Sequence, residues 1–109
     1  MKTPVTVMVV EDNKEFRKVI HMALLRDEGL ELTSEFGTAE IALRTLLIDQ
    51  AGEKPDVVLL DLNLPDMSGM DVLRTLRVAK INTPIMITAK IPPDSELSIQ
   101  TLWAWLYRV

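Results

Sequence analysis

The 109 residues, 48% apolar and 26% charged, suffice for one domain around one core and are too few for two. A net charge of −4 offers no basic excess for neutralising phosphates, which argues against direct nucleic-acid binding. Cysteine is absent, so disulfides, thiolate metal sites and a Cys nucleophile are excluded.

From Val5 to Val10 the run Val-Thr-Val-Met-Val-Val is short, β-branched and apolar on both faces, as a doubly buried strand requires. It meets Glu11-Asp12-Asn13, is too short for a membrane span and is followed by no cleavage region, so a soluble cytoplasmic protein is expected. Phe16, Val19, Ile20, Ala23 and Leu24 then repeat at helical spacing, which predicts a helix to about Asp27. Asp12 or Asn13 is its N-cap and Gly29 its stop. His21 lies off that stripe and reads as a solvated surface histidine.

Leu30 to Phe36 reads as a second strand, with Leu30, Leu32, Ser34 and Phe36 on one face. Gly37-Thr38 leads into a helix carrying Ala39, Ala42, Leu43, Leu46 and Leu47 at helical spacing. Beyond a polar connection over 49–55, Val57 to Leu60 is another doubly apolar strand, ending on Asp61. A loop from Leu62 to Gly69, punctuated by Pro and Gly, precedes a third helix. That helix is marked by Val72, Leu73 and Leu76, with Arg74, Arg77 and Lys80 as a solvated outer face. Pro84 to Thr88 is a fourth apolar strand. Helices alternating with apolar strands predict an α/β fold, a doubly wound parallel sheet covered on both faces. After Lys90 the pattern is ambiguous. Ile99, Leu102, Trp103 and Leu106 sit at helical spacing, yet Trp103, Trp105 and Tyr107 also alternate as in a strand.

Ligands of open parallel sheets bind at the carboxyl ends of the strands. Here the first strand ends on Glu11 and Asp12, the third on Asp61 and the fourth on Thr88, so these groups are expected to converge. Taken singly, each has a plainer explanation: Asp12 a helix cap, Glu11 a solvated acid, Asp61 an Asx turn, Thr88 an ordinary strand residue. Jointly they are hard to obtain from capping preferences. Crowded carboxylates repel unless a cation sits among them, and oxygen-only ligands suit Mg²⁺. The cation bridges carboxylate and phosphate oxygens, which makes Asp61 the candidate nucleophile toward phosphorus.

Three segments carry a family resemblance: Val9-Val10-Glu11-Asp12-Asn13, the run from Asp56 through Asp61-Leu62-Asn63-Leu64-Pro65 to Gly69, and Pro84 to Lys90. Together they resemble the receiver domain of bacterial two-component response regulators, over roughly residues 5 to 90. The resemblance implies a flavodoxin-like receiver fold and phosphorylation of Asp61 by a histidine kinase or phosphotransfer protein. It implies Mg²⁺ held by Glu11 through a water, by the Asp12 and Asp61 side chains and by the backbone carbonyl of Asn63. Thr88 would be the switch hydroxyl that binds phosphoryl oxygens, and Pro65 and Gly69 would shape the loop. Such a domain catalyses its own phosphorylation and is not a turnover enzyme. With no output domain in view, its expected readout is binding to a downstream protein.

The end of the chain departs from the family pattern, which has a fifth strand closing on Lys-Pro and then a fifth helix. No Lys follows Lys90. On this reading residues 1–90 form the receiver-like core and 91–109 an aromatic segment of the same domain, with the fifth helix missing. In one version Ala104 to Arg108 is a shortened fifth strand, Arg108 takes the Lys place and Trp105 the switch-aromatic place; Arg is a poor substitute for a compact ammonium. In the other, 94–109 is one helix. Either version predicts an apolar strip beside Phe16, Ile20 and Leu24 and a homodimer or segment exchange in which the C-terminal segment covers a partner's surface, the alternative being that this segment folds back on its own chain. Two rival functions stand beside the phosphoacceptor. One is a degenerate receiver serving only as an interaction or dimerisation module. The other is an aspartyl phosphohydrolase, which would want an acid where Asn63 stands.

Overall fold

The computed structural model describes residues 3–48 and 54–88. Its elements run β1 (Val5–Val10), α1 (Lys14–Leu25), β2 (Leu30–Phe36), α2 (Ala39–Ile48), β3 (Val57–Asp61), α3 (Gly69–Val78) and β4 (Ile85–Thr88). The strands form a parallel sheet in the order β2-β1-β3-β4. Chain order and sheet order diverge at β1, whose two neighbours are β2 and β3. This is the switch point at which strand ends open a crevice.

Each apolar strand feeds two cores. Met8, Val10, Val58 and Leu60 face α2 and α3, packing with Ala39, Ala42, Leu43, Leu46, Val72 and Leu76. Val7 and Val9 point the other way, with Leu24 and Ile20 of α1 and with Val57 and Leu59 of β3. That two-sided burial is why β1 and β3 lack polar alternation. At the amino ends of the two strands Thr6 and Asp56 clasp each other. The Thr6 amide donates to Asp56 Oδ2 at 2.9 Å, and the Asp56 amide donates to the Thr6 backbone oxygen at 3.0 Å. This clasp fixes the β1–β3 register at the pole opposite the polar strand ends.

Two expected faces are corrected. In β2 the register slips between Val7 and Met8, so Val7 pairs with Leu32 and Met8 with Ser34. Thr33 is the extra residue, and its hydroxyl donates to the Val7 carbonyl at 3.2 Å. The bulge turns the strand part-way along. Leu30 and Leu32 therefore pack on the α1 side, whereas Phe36 joins the α2–α3 side. The four do not share one face. In α1 the inward side carries Arg17, Ile20, His21 and Leu24, while Phe16, Val19 and Ala23 are exposed. The helix is turned because Arg17 reaches back to donate to the Glu11 carbonyl at 2.7 Å, and His21 Nδ1 lies 3.2 Å from Glu35 Oε2 on β2. His21 is thus a half-buried partner of β2 and not a freely solvated histidine. Asn13 caps α1 as expected, its Oδ1 accepting from the Phe16 amide at 2.9 Å. The helix stops at Leu25, with Arg26 rather than Gly29 as its C-cap.

On α3 the outer basic face is only partly as expected. Arg74 pairs with Asp71 at 3.0 Å, one turn away. Arg77 does more: Nη2 donates to the Thr83 carbonyl at 3.1 Å, and Nη1 to the Ile81 carbonyl at 2.6 Å, fastening the turn that leads into β4. The expectations for residues 91–109 fall outside the described residues. Those expectations are the helix-or-strand alternatives, Trp105, Arg108 and the dimer through this segment.

Candidate functional site

Polar groups collect where the parallel strands end. β1 runs out of apolar residues at Glu11 and Asp12, and β3 ends on Asp61. Glu11 and Asp61 are 1% and 2% exposed, the only buried acidic side chains among the described residues, while Asp12 is exposed. Such burial is costly for a carboxylate without compensating groups, and it is imposed by the strands on either side. Glu11 Oε2 accepts from the Asn13 amide at 2.9 Å, and Asp61 Oδ1 accepts from the Asn63 amide at 3.1 Å. Each acid is therefore aimed by the first turn of the loop that follows it.

The result is a cluster. One carboxylate oxygen from each of Glu11, Asp12 and Asp61 lies within 4.8 Å of the others. Three hard oxygen donors at that spacing, two of them sunk below the surface, fit a small divalent cation that keeps some of its waters. No group of His, Cys, Asp and Glu elsewhere among the described residues has that arrangement.

Thr88 is the register partner of Asp61 on β4, so the two stand side by side on adjacent strands. The Leu62 amide donates to the Thr88 carbonyl at 2.9 Å, continuing the ladder one step past Asp61. Asn63 begins a tight loop. It bridges Ser68, and the Gly69 amide donates to the Leu62 carbonyl at 2.7 Å, closing the loop at its base. Gly69 is required by close approach: a Cβ there would stand 2.8 Å from the Asp61 carbonyl oxygen and 3.0 Å from the Leu62 Cα. Of the residues read from the sequence, Glu11, Asp12 and Asp61 come together, with Thr88 and Asn63 on their flanks. Arg108 lies outside the described residues.

One residue of this region escaped the sequence reading. Asp66, at the exposed tip of the loop, accepts from the first two amides of α2, from Ala39 at 3.0 Å and Glu40 at 2.9 Å. The bond from Ala39 does most to hold the Asp66 carboxyl below its ordinary value of 3.8; desolvation opposes it, and the bond from Glu40 adds a smaller lowering. The only trace in the sequence is an acid in a loop, because the partner helix lies 27 residues earlier.

With the strand-end acids and the loop in view, the likeness to known proteins is direct. The family model for the response regulator receiver domain matches residues 7–101. The chain belongs to this family. The cell cycle transcriptional regulator CtrA of Caulobacter vibrioides is 48% identical over 82 residues, which are 74% of this chain and 32% of that protein. The cell cycle response regulator CtrA of Brucella ovis is 41% identical over 81 residues, again 74% of this chain and 32% of the relative. The chain thus spans about a third of the length of these curated relatives, 32%. Among solved structures, the receiver domain of the histidine kinase CKI1 from Arabidopsis thaliana, complexed with Mg²⁺ and BeF₃⁻, superposes with a TM-score of 0.67 at 26% identity, covering 91% of this chain and 74% of that one. The signal receiver domain of the putative response regulator NarL from Mycobacterium tuberculosis shares the fold, with a TM-score of 0.72 at 23% identity over 94% of this chain and 78% of that one. The doubly wound, flavodoxin-like receiver fold expected from the sequence is therefore the fold of this chain. Among the described residues no helix is long and apolar enough to cross a membrane.

Proposed function

We propose that this receiver domain accepts a phosphoryl group on Asp61, in a Mg²⁺-dependent phosphorelay fed by a histidine kinase or phosphotransfer protein. The observation that carries the reading is the buried Asp61 at the end of β3, gathered with Glu11 and Asp12 so that their oxygens lie within 4.8 Å. A surface of capping acids would not bury two of its three carboxylates. The CKI1 receiver domain complexed with Mg²⁺ and BeF₃⁻ lends support from a relative of the same fold.

In this reading the side chains of Asp12 and Asp61 and the backbone carbonyl of Asn63 would hold the cation, with Glu11 acting through a water. A bound Mg²⁺ supplies positive charge against the phosphoryl oxygens as negative charge accumulates. Asp61 is the nucleophile. A carboxylate lone pair forms the new O–P bond, giving an acyl phosphate, while the P–N bond to the donor imidazole breaks and its electron pair stays on nitrogen. The Asn63 amide, 3.1 Å from Asp61 Oδ1, orients the carboxylate for attack. Thr88, beside Asp61 in the ladder, donates its hydroxyl to a phosphoryl oxygen once the bond has formed. The domain catalyses its own modification and does not turn over, and a downstream protein reads the modified surface.

Incubation with acetyl phosphate and Mg²⁺, followed by intact-mass measurement, tests this. The expected result is one phosphoryl increment, lost in Asp61→Asn and in the presence of a chelator. An unchanged mass for the wild-type chain overturns the reading and leaves a receiver that serves only as an interaction module.

A further inference from the structure

We propose that Asp66 is a positioning residue of the phosphoacceptor site: by binding the first two amides of α2 it holds the 62–69 loop, and with it Asn63, whose amide donates to Asp61 Oδ1, in the geometry that receives Mg²⁺. This inference rests on the reading of Asp61 and the acid cluster given above.

The loop has two ends to secure. Its base is closed by the Gly69 amide on the Leu62 carbonyl at 2.7 Å and by the Asn63–Ser68 bridge. Its tip is exposed at Pro65 and Asp66, which stand between the buried Leu64, at 8% exposure, and the partly buried Met67 that packs against the core. Two apolar side chains, one of them only partly buried, leave the exposed tip between them with little apolar surface to hold it. The Asp66 carboxylate adds a polar anchor at the tip itself. Its two oxygens take separate amides, Oδ1 from Ala39 at 3.0 Å and Oδ2 from Glu40 at 2.9 Å, so both its position and its plane are set. The anchor point is part of the core: Ala39, the first residue of α2, is fully buried in the cluster with the strand residues of β1 and β3. The bonds are charge-assisted and lie at the positive end of a helix.

The cation side makes this placement matter. Mg²⁺ tolerates little departure from octahedral geometry, and a main-chain carbonyl ligand moves only with its loop. Asn63 stands between the Asp61 carboxylate that accepts its amide and the loop tip that Asp66 ties down. A slack tip therefore displaces the carbonyl, whereas the acid side chains stay on their strands. Coupling of this kind is reciprocal: a cation among the acids tightens the loop and with it the capped amides of α2.

The experiment is a calorimetric titration with magnesium chloride of the wild type, Asp66→Ala and Asp66→Asn, joined to amide exchange at Ala39 and Glu40 with and without Mg²⁺. Asp66→Ala is expected to weaken Mg²⁺ affinity about tenfold, the scale on which groups that orient ligands act. Asp66→Asn keeps one of the two acceptor oxygens and recovers only part of that loss. In the wild type, saturating Mg²⁺ slows exchange of the Ala39 and Glu40 amides; in Asp66→Ala it does not. Unaltered affinity in Asp66→Ala, with faster exchange at the two amides, makes Asp66 a helix cap and nothing more. Wild-type exchange at Ala39 and Glu40 that ignores saturating Mg²⁺ overturns the proposal without any variant. A wild type that binds no Mg²⁺ removes the underlying reading of the acid cluster, a different failure from either of these.

Discussion

Gly69 decides whether the acceptor loop closes. Its hydrogen atom stands where a Cβ would press on the Asp61 carbonyl oxygen at 2.8 Å, and both obstructing atoms are backbone that cannot swing aside. Gly69→Ala must therefore push the end of β3 away from the start of α3. Overpacking of this kind costs about 1–3 kcal/mol. Urea unfolding should show that loss, and mass-detected phosphorylation from acetyl phosphate should slow because the displaced backbone is that of Asp61 itself. Ser68→Ala is the comparison: it removes only the cap on the Asp71 amide and should cost about 1 kcal/mol with little effect on transfer. Equal effects of the two variants on transfer would contradict the argument. Asp66 gives a second test at this scale, with a definite sign. Its folded-state carboxyl is held below the ordinary value of 3.8, chiefly by the Ala39 amide, so it binds protons less readily folded than unfolded. The stabilisation is complete above 3.8 and is lost as pH falls through the depressed folded value. The stability gap between wild type and Asp66→Ala should thus shrink on acidification below 3.8, and a gap independent of pH there would refute the assignment.

At the scale of an element, α3 shows how a helix is ended without glycine. The Ile81 amide donates to the Leu76 carbonyl at 2.9 Å and the Lys80 amide to the Arg77 carbonyl at 3.0 Å, with Ile81 packing near Leu76 in the core. That is a Schellman turn, which places Lys80 in the left-handed region at φ 62°. A side chain there is strained, whereas glycine is not. Lys80→Gly should raise stability by about 0.5–1 kcal/mol, read as a higher urea midpoint at constant slope. A lowered midpoint would mean that the Lys80 side chain contributes something its exposed position does not suggest. The same scale explains what the sequence conceals. The bounds of β1 and β2 are legible because strongly apolar or alternating runs meet polar punctuation. The inner face of β2 is not, since the bulge at Thr33 leaves the alternating pattern intact while turning the strand. The face of α1 misleads for a related reason. Phe16, Val19 and Ala23 satisfy the apolar period, but the polar contacts of Arg17 with Glu11 and of His21 with Glu35 select the neighbouring face.

For the whole molecule, the parallel architecture and the meeting of Glu11, Asp12 and Asp61 both follow from one rule: parallel strands end at the same pole. The tie between Asp66 and α2 required the folded chain, because it joins segments that no local pattern relates. The acid cluster therefore exists only in the folded state; in the unfolded chain Glu11 and Asp61 stand 50 positions apart. A cation that binds the folded cluster and not the unfolded chain must stabilise the entire domain by mass action, about 2.7 kcal/mol at a hundredfold excess over the dissociation constant. For a domain of this size that raises the melting temperature by about 10–20 °C. Thermal melts at increasing Mg²⁺ should climb with the logarithm of its concentration once binding saturates. Asp12→Asn should flatten that climb, since it removes one charged ligand at the exposed edge of the cluster while leaving both buried acids in place. Melts that ignore Mg²⁺ in the wild type, or that respond equally in Asp12→Asn, would separate the clustering of these acids from cation binding.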